Sequence, residues 1–304
     1  MQDDEQDLGN QDHGITNPFQ SFDPEDNSSK GRFKAVPFRL IAPNLVTLVA
    51  LCAGLTGIRM AVEGRFELAL VSIAAAAFLD GVDGRIARLL KGTSRFGAEL
   101  DSLTDFVNFG VAPALILHVW ILHAFDTIGW IGSLLFAIAM VLRLARFNVA
   151  LDDKHQPAWK KDFFVGIPAP AGALVVLAPI YLELSGLPHT DLAAPLVLAY
   201  TLLIAMLVVS TVPTFSGKTV GLKIPRAHVV PLITFVVALV AVLFSYPWIT
   251  LTVLAIIYLA SIPFARRAWH RHNGADEEMT EESENAAELE PGVKRENEVG
   301  PEGV

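Results

Sequence analysis

The 304-residue sequence has one cysteine and few charged residues. The single Cys52 cannot form an intramolecular disulfide, and because it lies within an apolar run we interpret it as lipid-facing or core filler rather than a nucleophile. Charged residues make up 18% of the chain and its mean hydropathy is +0.45, which excludes an ordinary soluble domain. The N-terminus lacks the basic segment and short apolar run of a secretory signal, so we expect the first apolar run to remain in the mature protein.

The net charge of −9 arises mainly at the two ends of the chain. Residues 1–35 and 271–304 are acidic and contain too little apolar surface to offset the entropy of ordering. We predict that both are disordered tails flanking a membrane domain at 36–270, with an acidic interaction segment as the alternative. Basic residues are spread over the connections between apolar runs, which gives no indication of a nucleic-acid partner.

Long apolar runs dominate the middle of the chain and exceed the roughly 17 residues needed to cross a bilayer. They predict an all-α, polytopic integral membrane helical bundle of about eight transmembrane helices. The predicted spans are roughly 40–62, 66–90, 98–122, 127–149, 164–184, 191–211, 228–245 and 247–265.

Lysine and arginine fall almost entirely on one side of these spans. One set of connections carries Lys30, Arg32, Lys34, Arg39, Arg88, Lys91, Arg95, Arg146, Lys154, Lys160, Lys161, Lys218, Lys223, Arg226, Arg266, Arg267 and Arg271. The opposite set contains Arg65 alone. By the positive-inside rule the basic side is cytoplasmic, so we expect both termini to be cytoplasmic.

Four aspartates occupy the cytoplasmic ends of two predicted spans: Asp80 and Asp83 on the second, and Asp101 and Asp105 on the third. Spacings of three and four residues place each pair on one face of its helix, so two facing helices would bring the carboxylates together. An unpaired aspartate inside a membrane costs roughly 2.5–3.5 kcal/mol on insertion scales. The four side chains therefore need strong compensation.

Clustered carboxylates suit hard divalent cations such as Mg²⁺ or Mn²⁺, and two such ions suit a diphosphate or an in-line phosphoryl transfer. Gly84 and Gly97 leave room for a ligand or a partner helix to approach the backbone. Arg88 is a candidate for a forked contact with phosphate oxygens. Two alternatives remain at this point, a buried ion-pair network with Arg85 and Arg88, and the ion relay of a transporter.

The same stretch carries a recognisable signature. "DGVDGRIAR" at 80–88, then eight residues, then "GAELDSLTD" at 97–105 resembles the signature of the CDP-alcohol phosphotransferases, with all eight fixed positions at the family spacing. The resemblance implies a membrane-embedded enzyme that transfers a phosphatidyl or related group from a CDP-linked lipid to an alcohol and releases CMP.

Further segments resemble the membrane-embedded phosphatidylserine synthases of that family. They are "IAPNLVTLVALCAGLTGI", "DSLTDFVNFGVAPALIL", "LRLARFNV", "FVGIPAPAGA" and "PTFSGK", which together cover about residues 41–223. This second resemblance implies CDP-diacylglycerol and L-serine as substrates, and the family resemblance implies a homodimer. We expect a bacterial inner membrane, with the site on the cytoplasmic side that the lysine and arginine distribution indicates. Glycerol phosphate, inositol phosphate and choline remain alternative acceptors.

The resemblance also implies roles for individual residues. Two divalent ions, Mg²⁺ or Mn²⁺, would be held by Asp80, Asp83, Asp101 and Asp105, with Asp105 also the general base, and the CDP-lipid would contact Gly84, Ala87, Arg88 and Gly97. A positioned carboxylate suits the base role because an alcohol is a poor nucleophile near neutral pH.

Recognition of serine needs partners for its carboxylate and ammonium groups. The candidate acceptor or phosphate residues are Asn108, Arg143, Arg146 and Lys218. The alternative for the cationic residues is that they only anchor helix ends by snorkelling. The alternative for Asn108 is an interhelical hydrogen bond.

Overall fold

The computed structural model describes residues 38–90, 94–151, 163–215 and 226–267. These ranges are helical apart from one short two-stranded ladder. The helices are α1 (Phe38–Val62), α2 (Phe66–Leu89), α3 (Arg95–Asp105), α4 (Ala112–Trp120), α5 (Asp126–Leu151), α6 (Ala169–Val176), α7 (Ala178–Leu184), α8 (Ala194–Val209), α9 (Arg226–Ser245) and α10 (Pro247–Arg267). A π-helical turn at Phe106–Val111 joins α3 to α4, and 3₁₀ turns lie at Leu122–Phe125 and Asp191–Ala193.

Six helical segments of the described residues have the length and composition of a membrane span. They are Ile41–Val62, Arg95–Trp120, Leu122–Ala150, Asp191–Val209, His228–Ser245 and Pro247–Arg267. The multi-pass helical architecture is thereby confirmed, while the count of about eight spans is not. The two remaining predicted spans correspond to α2, which is a continuous helix but carries charged side chains near both ends, and to the α6–α7 region.

The predicted span at 164–184 is interrupted at Leu177, where α6 ends and α7 begins. Pro179 is the cause in the sequence, because proline has no backbone N–H to donate to the carbonyl of Val175 and its ring crowds that turn. The region is therefore two short helices in place of the single helix expected.

One short two-stranded ladder accompanies the helices and leaves the all-α class unchanged. Strands β1 (Phe163–Val165) and β2 (Pro213–Phe215) pair antiparallel, with Phe163 opposite Phe215. Gly166 follows β1 with φ +77°, and its N–H donates to Val212 O at 2.9 Å. A Cβ there would lie 2.7 Å from Val208 O, so both the conformation and the space require glycine.

α1 and α2 form an antiparallel hairpin that supports the site. The turn between them contains Gly64 at φ +73°, and the two helices pack along much of their length. At Gly57 a Cβ would lie 3.2 Å from Ala69 O, so the small residue permits this close approach. The hairpin fixes the position of the carboxyl end of α2, where the first pair of aspartates lies.

The buried core lies mainly among the π-helical turn, α4, α5 and α6. Phe109, Leu117, Phe136 and Met140 are fully buried there. In contrast, the apolar side chains of α9 are exposed along most of its length, as expected of a surface that contacts lipid. The core thus holds α3 and α5 in place beside the α1–α2 hairpin.

The π-helical turn directly follows Asp105. Ala112 N–H donates to Val107 O, five residues back. Pro113 has no N–H to donate to Phe109 O, so the α-helical pattern of hydrogen bonds to the carbonyl four residues back is broken at this point. The predicted helix over 98–122 is therefore not one regular α-helix. π-helical turns are often found at functional sites, and this one separates the aspartate-bearing turn from the buried α4.

Candidate active site in the aspartate cluster

Three of the four aspartates meet between α2 and α3. Carboxylate oxygens of Asp80, Asp101 and Asp105 all lie within 4.8 Å of one another, and the three residues are half-buried. The carboxyl groups of Asp80 and Asp105 are within hydrogen-bonding distance. The expectation that the two helices would bring their acidic faces together is confirmed for these three residues, which we call the aspartate cluster.

Asp83 lies beside the aspartate cluster but has a different contact. It is only 4% exposed, and Thr47 on α1 donates its hydroxyl to Asp83 Oδ2 at 2.8 Å. Asp83 is near enough to Asp101 for their charges to interact. The role of Asp83 as a metal ligand therefore remains a prediction. The sequence motifs did not reveal Thr47, whose hydrogen bond holds the Asp83 carboxylate in position.

Thr47→Val is expected to lower turnover about tenfold, since a hydrogen bond to a charged group contributes roughly 1.5 kcal/mol or more. Valine keeps the shape of threonine but removes the side-chain hydrogen bond to the buried Asp83 carboxylate. The divalent-ion concentration that gives half-maximal activity should rise in parallel. Thr47→Ser retains the hydroxyl and should restore both values. A serine variant as impaired as the valine variant would show that the methyl packing matters instead of the hydrogen bond.

Among the described residues, few basic side chains lie near enough to compensate the negative charge of the cluster. Arg143 on α5 is close enough to interact with Asp80 and Asp105. Arg88 is exposed and its Nε donates to Gly84 O at 3.1 Å, and Arg85 is exposed as well. Within the described ranges, no ion pair joins either of these two arginines to an aspartate of the cluster. The proposed network with Arg85 and Arg88 is therefore not found.

The donor set fits a divalent cation. Three half-buried carboxylates converge and all their donor atoms are oxygens. Arg143, the guanidinium beside them in the described part of the chain, cannot neutralise all three. Mg²⁺ and Mn²⁺ prefer such oxygen ligands. The residues present thus match the divalent-metal centre that the family signature implies.

The glycines of the signature have two distinct environments. A Cβ on Gly84 would meet none of the described residues within 4 Å, so this part of the structure leaves open space above the exposed Gly84 of α2. A Cβ on Gly97 would lie 2.8 Å from Asn44 Oδ1, and the Gly97 N–H donates to the Ser94 side chain at 3.0 Å. Gly84 is available for a ligand, whereas Gly97 permits the start of α3 to pack against α1. Ala87, one turn along from Asp83, is half-buried.

The candidate acceptor residues do not all reach the cluster. Arg143 does, and its Nε is buried without a hydrogen-bond partner among the described residues. Arg146 instead donates from Nη1 to Val209 O at 2.6 Å, at the carboxyl end of α8. Lys218 lies outside the described residues. Of the two arginines predicted here, Arg143 is the one beside the carboxylates.

Asn108 lies in the π-helical turn and is fully buried. Neither polar atom of its amide has a hydrogen-bond partner within the described part of the chain, so the alternative of an interhelical hydrogen bond is not found there. Its Oδ1 lies directly against Gly54 of α1, where any Cβ would overlap it. Burying an amide whose two polar atoms make no hydrogen bond to the described residues costs free energy, unless another molecule binds there. The glycine at position 54 leaves the space that this amide occupies.

Gly54→Ala is expected to destabilise the protein by roughly 1–3 kcal/mol, the usual cost of overpacking, because the new methyl group overlaps Asn108. Asn108→Ala removes the overlapping atoms, so the double variant should recover most of that loss in thermal unfolding measurements. Additive losses in the double variant would mean that the two residues do not constrain each other.

The sequence model of the CDP-alcohol phosphatidyltransferase family matches residues 40–212, the range that contains all four aspartates. The chain belongs to this family. A second model, described as CDP-alcohol phosphatidyltransferase 2, matches residues 228–263, which lie in α9 and α10. The family resemblance inferred from the motif spacing is therefore confirmed.

Three relatives of this chain carry the name CDP-diacylglycerol–serine O-phosphatidyltransferase. The Mycobacterium leprae protein is 41% identical over 225 residues, which cover 74% of this chain and 74% of the relative. The Helicobacter pylori protein is 36% identical over 184 residues, covering 60% of this chain and 76% of the relative. The Bacillus subtilis protein is 35% identical over 141 residues, covering 46% and 76% respectively.

Proposed function

We propose that this membrane protein transfers a phosphatidyl group from CDP-diacylglycerol to the hydroxyl of L-serine, giving phosphatidylserine and CMP. The observation that carries the proposal is the convergence of Asp80, Asp101 and Asp105 within 4.8 Å on the two helices that bear the family signature. Serine as the acceptor is supported by the names of the relatives and by the sequence segments that resemble phosphatidylserine synthases.

The aspartate cluster, together with Asp83, would hold two divalent ions, Mg²⁺ or Mn²⁺. When bound, such ions neutralise the charge that develops on a diphosphate during in-line displacement. Thr47 fixes the carboxylate of Asp83 on the α1 side, so that α1, α2 and α3 all contribute to the geometry. This arrangement places the acidic donors on regular helices, which hold side chains more rigidly than loops do.

The reaction needs a base for the serine hydroxyl. In our proposal Asp105 accepts the hydroxyl proton as the serine oxygen bonds to the β-phosphorus of CDP-diacylglycerol. The bond between that phosphorus and the bridging oxygen breaks, and CMP leaves with the electron pair on its phosphate. The proton then passes from Asp105 to solvent. General base catalysis of this kind contributes typically 10²- to 10⁴-fold in rate.

The proposed contacts with the CDP group and with serine are based on the open space and the charged side chains near the aspartate cluster. The space over Gly84, flanked by Ala87 and Arg88, would accommodate the CDP group. Arg143 would contact the serine carboxylate or a phosphate oxygen, because it is the cationic side chain beside the aspartates within the described residues. Lys218 and Asn108 remain predicted acceptor contacts, and Arg146 a weaker one since it already binds a backbone carbonyl.

We place the site on the cytoplasmic side of a bacterial inner membrane, with both termini cytoplasmic and the protein a homodimer. The support for this sidedness is the distribution of lysine and arginine, which meets the positive-inside rule when the aspartate side is cytoplasmic. The homodimer is carried over from the family resemblance. Serine and CMP are water-soluble while the diacylglycerol chains stay in the leaflet, so a site at the membrane surface suits both.

The test is CMP release from CDP-diacylglycerol by the purified protein with Mg²⁺ or Mn²⁺. Serine, glycerol 3-phosphate, inositol phosphate, choline and no acceptor are compared. We expect release with serine alone. Release with another alcohol would refute serine as the acceptor, and no release from folded protein with any acceptor would favour an ion-coupled transporter instead.

A further inference from the structure

Asn148 on α5 forms a hydrogen bond to the helix that carries two of the four aspartates. Its Nδ2 donates to Ser102 Oγ on α3 at 3.0 Å. The Ser102 hydroxyl lies 3.1 Å from Ala98 O, one turn earlier on α3, and 3.4 Å from Asn148 Oδ1. Because a hydroxyl has one hydrogen, donation to the nearer Ala98 O leaves Ser102 Oγ as the acceptor for Asn148. The contact thus joins α3 to α5 with defined donors and acceptors.

The helix α3 has few buried side chains to fix its orientation. In Arg95–Asp105, all of which the structure describes, Thr104 is the one buried residue. The two large apolar side chains Phe96 and Leu103 are 69% and 67% exposed. Lipid is as apolar as these side chains, so they do not favour one rotation of the helix over another. The rotation of α3 about its own axis therefore depends on a small number of specific contacts.

The helix α5, in contrast, is firmly held in the core. Phe136 and Met140 are fully buried, and Asn148 lies two to three turns further along the same helix. Asn148 is half-buried, while Phe147 and Val149 on either side of it are exposed. An apolar residue could fill this inward position by packing alone, whereas an amide adds a directional hydrogen bond between helices. The contact from Asn148 therefore ties α3 to a rigid part of the protein.

Ser102 follows Asp101 directly and precedes Asp105 by three residues, so its contact bears on both carboxylates. Side-chain atoms lie roughly 5–6 Å from a helix axis, so a rotation of about 10° moves a carboxylate by roughly 1 Å. Metal ligands must lie within about 0.2 Å of their preferred distances. The convergence of Asp80, Asp101 and Asp105 within 4.8 Å is therefore sensitive to small rotations of α3.

We propose that Asn148 and Ser102 are positioning residues, which fix the rotation of α3 so that Asp101 and Asp105 face Asp80 in the arrangement that a divalent ion needs. The inference rests on the proposed function, because it assigns the support of the same metal centre. Both residues act through the aspartates and need not touch a substrate. A merely structural hydrogen bond would stabilise the fold without changing the ion affinity of the folded protein.

Asn148→Leu tests the donor, since leucine has a similar size and removes the hydrogen bond to Ser102. Mn²⁺ is titrated into the full-length protein without CDP-lipid or serine, and binding is followed by the loss of the free ion's EPR signal. We expect about tenfold weaker binding, the lower end of the 10- to 100-fold range for residues that support metal ligands. At saturating Mn²⁺, kcat for CMP release should also fall by about tenfold or more, because misplaced carboxylates leave the reacting groups misaligned.

Variants of Ser102 test the acceptor. Ser102→Ala should weaken Mn²⁺ binding as much as Asn148→Leu does, whereas Ser102→Thr keeps the hydroxyl oxygen and should bind Mn²⁺ normally. The double variant Asn148→Leu/Ser102→Ala should be no weaker than either single variant, because both remove the same interaction. Additive losses, or a threonine variant as impaired as the alanine variant, would overturn the proposal.

Tyr200→Phe is the matched control for a structural hydrogen bond. Tyr200 Oη on α8 donates to Val175 O on α6 at 2.7 Å, so phenylalanine breaks a contact between helices with little change of shape. Neither helix carries an aspartate of the cluster. We expect a lower thermal unfolding midpoint and unchanged Mn²⁺ affinity. The same pair of results for Asn148→Leu would show that its hydrogen bond is merely structural and would reject the positioning role.

The two proposals fail separately. Weakened Mn²⁺ binding in the Asn148 and Ser102 variants, with no serine-dependent CMP release by the unaltered protein, would overturn the acceptor assignment and keep the positioning role. Serine-dependent CMP release, with unchanged Mn²⁺ affinity in these variants, would keep the proposed function and reject the positioning role. Absence of Mn²⁺ binding by the unaltered protein would overturn the metal centre, and the positioning role with it.

Discussion

Asp105→Asn is expected to lower serine-dependent CMP release by 10²- to 10⁴-fold, the usual contribution of a general base, while binding of CDP-diacylglycerol persists. Asparagine has nearly the same shape as aspartate but cannot accept the serine proton. Asp105 lies in the last turn of α3, immediately before the π-helical turn, with Asp80 and Asp101 beside it. The loss should therefore appear in kcat for the variant saturated with donor lipid.

The matched control for this substitution is Asp126→Asn. Asp126 is exposed at the start of α5 and takes no part in the aspartate cluster. It should retain full activity and the same thermal unfolding midpoint. If Asp105→Asn released CMP at the rate of the unaltered protein, Asp105 would have no catalytic role.

Gly84→Leu should reduce activity by at least about 10²-fold, the scale expected when reacting groups are displaced, without lowering stability. The Gly84 position is exposed on α2, and an added Cβ meets no atom of the described residues within 4 Å. Leucine is also a better helix former than glycine by nearly 1 kcal/mol. Any large loss of activity must then come from the side chain occupying space that a substrate needs.

The readouts for Gly84→Leu are CDP-diacylglycerol binding, kcat/KM and thermal unfolding, measured together. Ala75→Leu is the control, since Ala75 is exposed on the same helix about two and a half turns away. We expect weakened binding and a retained unfolding midpoint for Gly84→Leu, and no change for Ala75→Leu. Normal activity in Gly84→Leu would exclude the space above this glycine as the CDP site.

The sequence predicted helices well wherever an uninterrupted apolar run was present. α1 and α5 closely match the expected spans at 40–62 and 127–149. Irregular backbone was missed at the two places where proline removes a hydrogen-bond donor, Pro113 after the π-helical turn and Pro179 in α7. Hydropathy averages over such local breaks, so the apolar runs alone did not reveal them.

The aspartate cluster was predictable because helical spacing sets which residues share a face. Asp101 and Asp105 are four residues apart and point the same way, toward α2. Asp80 and Asp83 are three apart, which leaves them about 60° out of line at 3.6 residues per turn. That offset is consistent with Asp83 contacting Thr47 on α1 while Asp80 joins the cluster.

Contacts between distant parts of the chain were less accessible to sequence reasoning. Thr47 and Asp83 are separated by 36 positions, and Arg146 contacts a carbonyl 63 positions away. Nothing in the local pattern distinguishes Arg143 from Arg146, and only the packing of α5 against its neighbours shows which one lies beside the carboxylates.

Direct Mn²⁺ binding to the purified protein tests the central claim, that the aspartate cluster is a divalent-metal centre. Free Mn²⁺ is followed by its EPR signal as the ion is titrated into the unaltered protein, Asp101→Asn and Asp126→Asn. We expect Asp101→Asn to bind Mn²⁺ at least about tenfold more weakly, since even residues that only support metal ligands contribute 10- to 100-fold, and Asp126→Asn to bind normally. Equal Mn²⁺ affinity in all three proteins would contradict a metal centre at these aspartates.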